Sequence, residues 1–147
     1  AEVVASDISE EALAIAEENA EQCGVSVRFL KGDLFESITG RFDIIVSNPP
    51  YIESSTVDGL MPEVLRFEPR LALDGTKDGL EFYRRIISES DRFLLPDGKL
   101  MFEIGYNQAE AVSEQMRLKG FTEITVKKDY SGLDRCVFGT WSRKEEK

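Results

Sequence analysis

Apolar and polar positions along the chain form segments that predict strands and helices in turn. Short apolar runs at residues 2–6, 25–30 and 42–47 predict strands, and the last of these is apolar enough to predict burial on both faces. Between the first two runs, apolar residues at helical spacing predict a helix that Ser9 caps and Gly24 ends. Strands and helices in this order favour a mostly parallel sheet covered by helices.

A long polar connection at residues 48–76 follows the third strand and includes a predicted short helix at 62–67. Beyond it, Asp78 and Glu81 form a predicted capping box that begins another helix. The inward-facing positions predicted for this segment are Leu80, Tyr83, Ile86, Ile87 and Leu94.

The last third of the chain predicts a strand, a helix and a closing hairpin. The predicted elements are a turn at 96–98, a strand at 99–104, a helix capped by Asn107 with Glu110 and ended by Gly120, and hairpin strands at 121–127 and 135–141. The whole pattern describes an α/β chain.

Composition changes this picture mainly by what it excludes. The chain has 147 residues, of which 41% are apolar and 31% charged, so it predicts one soluble globular domain over residues 1–147. No apolar run is long enough to span a bilayer, so no membrane partner is expected. The net charge of −10 disfavours broad binding to phosphate backbones, so no direct nucleic-acid partner is expected either.

The chain contains no histidine, and its two cysteines, Cys23 and Cys136, are far apart in sequence. This excludes Ser-His and Cys-His catalysis and argues against a metal site or a disulfide scaffold. Unpaired cysteines suit a reducing compartment, so the expected location is the cytoplasm.

Polar residues follow three of the predicted strands. Asp7, Asp33 and Asn48 each lie just past a strand, and ligands of open α/β sheets bind beyond the carboxyl ends of the strands. Two acids and an amide at that edge predict a nucleoside-like ligand.

The most informative segment is Asn48-Pro49-Pro50-Tyr51, directly after the apolar run FDIIVS. The two prolines stiffen the backbone, and Pro49 offers a carbonyl acceptor beside the side-chain carbonyl of Asn48. Two rigid acceptors can hold both hydrogens of a planar NH2 group, while Tyr51 offers a flat face for stacking. The alternative is that the prolines simply end the strand in an ordinary turn.

This corner resembles that of class I methyltransferases that act on exocyclic or amide nitrogens. Further segments narrow the resemblance to the protein-(glutamine-N5) methyltransferases of peptide chain release factors, and they occur in order over essentially the whole chain: SNPPYIESS, FEPRLAL, DGLEFYRRI, FEIG and KDYSGLDR. The resemblance implies a class I (Rossmann-like) methyltransferase sheet with a C-terminal antiparallel hairpin. It also implies S-adenosyl-L-methionine as methyl donor, S-adenosyl-L-homocysteine as product, and the glutamine of the Gly-Gly-Gln motif of a release factor as acceptor.

The same resemblance implies roles for individual residues. Asp7 would accept hydrogen bonds from the ribose hydroxyls of the cofactor, Ile8 would pack beside the adenine, and Asp33 and Leu34 would line the adenine. Asn48 would lie between the methyl donor and the substrate amide, so that it contacts both. The corresponding alternatives are a helix-start acid for Asp7 and a turn acid for Asp33.

The four corner residues carry the expected chemistry. The resemblance makes Asn48, Pro49, Pro50 and Tyr51 both catalytic and substrate-binding. An amide nitrogen is a poor nucleophile, and fixing both N–H bonds can turn its lone pair toward the methyl group. The nitrogen loses its proton readily once methylated, so the absence of histidine is no obstacle.

The sequence departs from the family pattern at its start. A first strand and a glycine-rich loop are expected before residue 2, and no such loop occurs in the chain. The interpretation is an N-terminally incomplete catalytic domain, with a helical release-factor-docking domain further upstream. Because the expected strand would lie between the strands at 2–6 and 42–47, these residues alone are not expected to form a stable, active enzyme.

Several residues of the later motifs keep two readings. Glu68, Pro69 and Arg70 either order the long loop through an ion pair or contact substrate, and Glu103 either supports the cleft or has a capping or packing role. Residues 130–135 are expected to form a hairpin turn without catalysis.

Two other functions remain open at this point. An adenine-N6 or other nucleic-acid amino-methyltransferase could use the same corner, although the acidic segment IESSTVDGLMPE after Tyr51 favours a protein substrate. A non-catalytic domain with this fold would leave the intact corner unexplained.

Overall fold

The computed structural model describes residues 1–60 and 69–142. These fall into two compact units, residues 1–40 and residues from 41 onward, and each has its own sheet. The predicted short helix at 62–67 lies outside the described residues. The described residues contain no helix that is both long and apolar enough to cross a bilayer.

The first unit is a strand-helix-strand motif. Strand β1 (Val4–Asp7) leads into helix α1 (Glu10–Gln22), and β2 (Arg28–Lys31) returns parallel to β1. The predicted helix ends are confirmed, because Ser9 Oγ accepts a hydrogen bond from the N–H of Ala12 and Gly24 follows the helix with φ of +66°. All forty residues of this unit are described, and none of them is buried.

The second unit is built on a four-stranded sheet in the order β3-β4-β6-β5. Its strands are β3 (Phe42–Ser47), β4 (Leu94–Glu103), β5 (Phe121–Lys128) and β6 (Asp134–Trp141). The α-helices in its described part are α2 (Ser54–Val57), α3 (Arg70–Leu73), α4 (Glu81–Glu89) and α5 (Ala109–Lys119).

The sheet of the second unit is mixed. Strand β3 pairs parallel with β4, whereas β6 runs antiparallel to both β4 and β5. The expected closing hairpin is confirmed. The expectation of a mostly parallel sheet is wrong for this unit. Both pairings that involve the hairpin are antiparallel, and only the pairing of β3 with β4 is parallel.

The hydrophobic core lies in the second unit. Tyr83 of α4 packs edge-to-face on Phe102 of β4, with ring centroids 5.2 Å apart and planes at 85°. Met116 of α5 and Val137 of β6 are fully buried, as is Leu100 of β4. Burial of this kind contributes roughly 1.5–3 kcal/mol for each large apolar side chain, so this layer is the main source of stability.

The predicted burial of β3 on both faces is wrong. Ile44 and Val46, which share one face of the strand because side chains alternate, are 54% and 72% exposed. In the described structure β3 pairs with β4 alone, and one of its faces lacks a packed layer within the unit. One face of β3 is therefore exposed to solvent, although its apolar side chains predict that it is buried.

Two predicted helix caps are also corrected. Helix α4 begins at Glu81 with Leu80 at the cap, and Asp78 instead accepts from the N–H of Leu80 and pairs with Arg84. Helix α5 begins at Ala109, after Gln108 rather than Asn107.

The predicted turn at 96–98 is wrong as well. It is an irregularity inside one continuous strand, with Asp97 at φ of +63°, and Leu94 begins that strand rather than ending a helix. The predicted helix end at Gly120 is confirmed by its φ of +112°.

Candidate functional site

In the first unit, the predicted cofactor residues lie at the carboxyl edge of the two strands. Asp7 ends β1, its carboxylate is exposed, and Oδ1 accepts from the N–H of Ser9 at 2.8 Å. Ile8 follows it and is 48% exposed. The short contact holds the carboxylate beside the first turn of α1 and leaves it open to a ligand.

The turn after β2 reaches the same edge. The N–H of Gly32 donates to the carbonyl of Asp7 at 3.1 Å, and Ser6 Oγ donates to the carbonyl of Leu34 at 3.0 Å. Leu34 has φ of +53°, an uncommon conformation for a residue with a side chain. These bonds bring Asp33 and Leu34 to the strand end that carries Asp7 and Ile8, as the sequence predicted for residues past neighbouring strands.

A surface cavity of about 300 Å3 also opens between α1 and β2. Its lining consists of Glu17, Ala20, Glu21, Val25, Ser26, Val27 and Phe29. None of the five predicted cofactor residues lines it, so the cavity is separate from the edge that carries Asp7, Ile8, Asp33 and Leu34.

In the second unit, Asn48-Pro49-Pro50-Tyr51 leaves the end of β3 as an irregular corner. Asn48 is exposed, Pro49 is buried, and Pro50 and Tyr51 are partly buried. Ser47, immediately before the corner, is paired in register with Phe102 of β4. The side chain of Asn48 is therefore presented to solvent from a backbone that is held on its N-terminal side by the sheet.

The backbone just after the prolines is held by buried groups. Gln108 Nε2 donates to the carbonyl of Tyr51 at 2.9 Å and to the carbonyl of Gly79 at 3.2 Å. A methyl group added at Gly79 would lie 2.4 Å from the carbonyl oxygen of Tyr51. One added at Gly75 would lie 2.7 Å from the Cα atom of Tyr51. The corner is thus packed directly against glycine backbone.

Arg70 has an ordering role in the loop after the corner. It pairs with Asp58 at 2.6 Å and with Asp74 at 3.0 Å, and Ser54 Oγ donates to Asp74 at 2.6 Å. The hydrogen bond from Ser54, followed by those from Thr76 and Arg70, lowers the pKa of Asp74. The ion-pair reading of Arg70 is confirmed, while Glu68 lies outside the described residues.

The tip of the β5–β6 hairpin forms a second ordered turn. Asp129 Oδ1 accepts from the N–H groups of Ser131 and Leu133, and its other oxygen pairs with Arg135 at 3.1 Å. Arg135 also donates to the carbonyl of Ile104 at 3.4 Å. Tyr130 at the tip is fully exposed, so the hairpin reading of residues 130–135 is confirmed.

The backbone carbonyl of Glu103 is the hydrogen-bond acceptor for the buried side chain of Tyr83. This carbonyl accepts from the hydroxyl of Tyr83 at 2.9 Å. Burial, and to a smaller degree the charges of Tyr51 and Glu103, raises the pKa of Tyr83 well above its ordinary value, so the hydroxyl remains a donor.

Sequence reasoning missed Gln108, Gly75 and Gly79 around the corner. Asparagine is the better capping residue by type, so the sequence predicts Asn107 rather than Gln108 as the cap. No sequence pattern marks Gly75 and Gly79, since their role depends on the backbone of Tyr51, which is distant in sequence and reaches them only in the folded chain. No group of three or more candidate metal ligands occurs in the described parts of the chain.

Comparison of the structure with solved structures defines its class. A methyltransferase from Pyrococcus furiosus superposes with a TM-score of 0.72 at 21% identity, over 96% of this chain and 63% of the other. Residues 1–66 match the family model described as the methyltransferase small domain. The fold is that of a class I methyltransferase.

Sequence relatives define the family more narrowly. A release factor glutamine methyltransferase of Geobacter sulfurreducens is 46% identical over 140 residues, which are 95% of this chain and 49% of the relative. One of Caulobacter vibrioides is 47% identical over 136 residues, 90% of this chain and 47% of the relative. The chain belongs to the release factor glutamine methyltransferase family, and it spans about half the length of the curated relatives it matches.

A solved member of the same family shares the fold. The release-factor-specific protein-(glutamine-N5) methyltransferase of Alicyclobacillus acidocaldarius superposes with a TM-score of 0.50 at 25% identity, over 96% of this chain and 80% of that one.

Proposed function

We propose that the protein carrying this chain transfers a methyl group from S-adenosylmethionine to the side-chain amide nitrogen of the glutamine in the Gly-Gly-Gln motif of a peptide chain release factor. The observation that carries the proposal is the corner after β3, where an exposed Asn48 stands next to a buried Pro49. The family to which the chain belongs supports the same substrate.

The carboxyl edge of the first unit suits the cofactor. Asp7 presents an exposed carboxylate, which can accept hydrogen bonds from a ribose diol. Ile8 and Leu34 offer apolar surface for the adenine, and Asp33 offers an acceptor for its amino group. S-adenosylmethionine, when bound, supplies an electrophilic methyl group.

The corner residues orient the amide to be methylated. Asn48 Oδ1 and the carbonyl of Pro49 each accept one hydrogen of the NH2 group, and Tyr51 stacks on the amide plane. Holding both hydrogens directs the nitrogen lone pair toward the methyl group at attack distance, which supplies much of the acceleration. The proton of the methylated nitrogen leaves to water, so the corner needs no general base.

The proposal includes a release factor as the protein partner, with no direct nucleic-acid or membrane partner, and a cytoplasmic location. It treats residues 1–147 as parts of one catalytic domain. The free cysteines, Cys23 and Cys136, suit a reducing compartment.

The test is methyl transfer from labelled S-adenosylmethionine by the whole natural polypeptide, given either a release factor or DNA. Replacing Asn48 with alanine is expected to reduce transfer to release factor by at least about a hundredfold, because one of two acceptors is lost. Asn19→Ala is the matched control, since Asn19 is an exposed residue on α1.

Three results would contradict the proposal. Methylation of DNA but not of release factor would assign the protein to the nucleic-acid amino-methyltransferases. Cofactor binding that is undetectable by calorimetry would indicate a non-catalytic domain. Undiminished transfer by the Asn48→Ala variant would remove the proposed role of the corner.

A further inference from the structure

The corner after β3 has few backbone hydrogen bonds available to hold it in place. Pro49 and Pro50 have no N–H groups, so neither can be tied to the sheet by a donated backbone hydrogen bond. On the N-terminal side, the pairing of Ser47 with Phe102 holds the chain. On the C-terminal side, the first carbonyl held by a described hydrogen bond is that of Tyr51.

Gln108 is the side chain that holds this carbonyl. Its Nε2 atom donates to the carbonyls of Tyr51 and Gly79, so both hydrogens of the amide are used. Gln108 is only 8% exposed, and water therefore competes little for either bond. The bond reaches from the cap of α5 to a segment 57 residues earlier in the chain.

The orientation of the Gln108 amide is itself fixed. Its Oε1 atom accepts from the N–H of Gly105 at 2.9 Å and from the hydroxyl of Tyr83 at 3.4 Å. The Tyr83 hydroxyl has a single hydrogen, and its nearer acceptor is the carbonyl of Glu103 at 2.9 Å, so the N–H of Gly105 is the main donor to Oε1. Donors therefore lie on one side of the amide and carbonyls on the other, an arrangement that only an amide side chain satisfies on both sides.

We infer that Gln108 is a positioning residue, which sets the geometry of the Asn48–Pro49 acceptor pair by clamping the Tyr51 carbonyl to the backbone of Gly79. This inference rests on the proposed function of the corner. Gln108 does not touch the reacting atoms. Its contribution is to hold the far end of a proline-stiffened segment, so that the acceptors stay where an NH2 group must sit.

The sharpest test replaces Gln108 with glutamate in the whole natural polypeptide. The substitution keeps the size and the acceptor side but removes both donors, so the new carboxylate faces two carbonyls. We expect kcat for release-factor methylation to fall roughly tenfold to a hundredfold, because a misplacement of about 1 Å can cost that much. The KM for S-adenosylmethionine is expected to stay within about threefold, since four of the five predicted cofactor residues, all except Asn48, lie outside the segment that Gln108 holds.

A pH profile separates positioning from simple loss of stability. Burial raises the pKa of a carboxyl group, so acidification from about pH 8 to about pH 6 should protonate the new side chain and restore one O–H donor. The ratio of variant to wild-type kcat is therefore expected to rise several-fold over this range. Gln108→Met, which has no donor at any pH, should lose a similar factor and show no recovery.

Ser90→Ala is the matched control for stability. Ser90 is fully buried and donates to the carbonyl of Ile87, so its replacement also deletes a buried hydrogen bond. It should lower the melting temperature and leave kcat unchanged. If the Gln108 variants lower kcat no more than Ser90→Ala does at equal folded fraction, and the glutamate variant shows no recovery with acid, the inference is overturned.

A structural readout keeps this inference separate from the proposed function. Hydrogen exchange in the peptide covering residues 51–54 should speed up several-fold in Gln108→Met and remain at the wild-type rate in Ser90→Ala. This outcome does not depend on the identity of the substrate. Failure of the wild-type protein to methylate release factor would contradict the proposed function alone. Unchanged hydrogen exchange in Gln108→Met would contradict the positioning role of Gln108.

Discussion

At the scale of single residues, the corner after β3 combines exposure and rigidity. Asn48 is open to solvent while the adjacent Pro49 is buried, so the backbone can be stiff without hiding the amide. The stiffness comes from the prolines, and the position comes from contacts that Tyr51 makes with Gln108 and Gly79. A functional group on an irregular segment is thereby supported by the core.

Gly79 is where this support is most sensitive to one added methyl group. It has φ of +69°, and a Cβ would lie 2.4 Å from the Tyr51 oxygen and 2.9 Å from Gln108 Nε2. Gly132, in the same unit, has φ of +81° and no atom within 4 Å of its Cβ position. Gly132→Ala is expected to cost about 1–2 kcal/mol from backbone strain alone.

Gly79→Ala is expected to cost about 1–3 kcal/mol more than Gly132→Ala, because overpacking is added to the strain. It should also lower methyl transfer, since the corner must shift. Urea unfolding and turnover of both variants in the whole polypeptide measure the two effects. Equal destabilisation by the two substitutions would mean that the contact with Tyr51 is loose.

At the scale of elements, the turn of the β5–β6 hairpin is stabilised by the carboxylate of Asp129, which accepts hydrogen bonds from backbone N–H groups and from an arginine side chain. Asp129 accepts from backbone N–H groups of Ser131 and Leu133 and pairs with Arg135 at the start of β6. The N–H of Leu133, followed by Arg135 and Ser131, lowers the pKa of Asp129 below its ordinary value. The turn is therefore more stable when this carboxyl group is ionised.

Stability is expected to depend on pH through Asp129. Because its pKa is lower in the folded state, its contribution is present above the unfolded value of about 3.9 and is lost as the pH falls through the folded value. Asp129→Asn should therefore be less stable than the wild type near neutral pH, with the difference shrinking as the solution is acidified. Urea unfolding of both proteins across that range measures this, and a constant difference would contradict it.

At the scale of the whole molecule, burial is distributed unevenly between the two units. Among the described residues, every member of the hydrophobic core, including Leu100, Phe102 and Val137, belongs to the unit that begins at Arg41. None of residues 1–40 is buried, although β1 pairs with β2 and α1 is a regular helix. The first unit is therefore held mainly by local structure.

Hydrogen exchange should reveal this imbalance in the 147-residue chain. Amides of β1 and β2 are expected to exchange at least about tenfold faster than those at the centres of β4 and β6, because opening them exposes little additional apolar surface. Mass spectrometry of exchanged peptides gives both rates in one experiment. Comparable protection in residues 4–31 and in residues 99–104 would contradict the prediction.

Local signals were sufficient for much of this architecture. The Ser9 cap, the glycine stops after α1 and α5, and the hairpin all follow from residue types within a few positions of one another. The same holds for the clustering of Asp7 with Asp33, which requires only two parallel strands. The error at β3 has another origin, since exposure of Ile44 and Val46 depends on which layers pack on the strand.

The sequence by itself determined most of the longer strands and helices, the stiff corner at residues 48–51 and the family, because these depend on nearby residues or on ordered motifs. Only the tertiary structure decided that Gln108, Gly75 and Gly79 hold that corner, that Arg70 orders its loop, and that Asn107 caps nothing. The physical reason is the range of the interactions. A cap or a turn is a contact between near neighbours in sequence, whereas a side chain clamped onto a carbonyl 57 positions away exists only once the chain has folded.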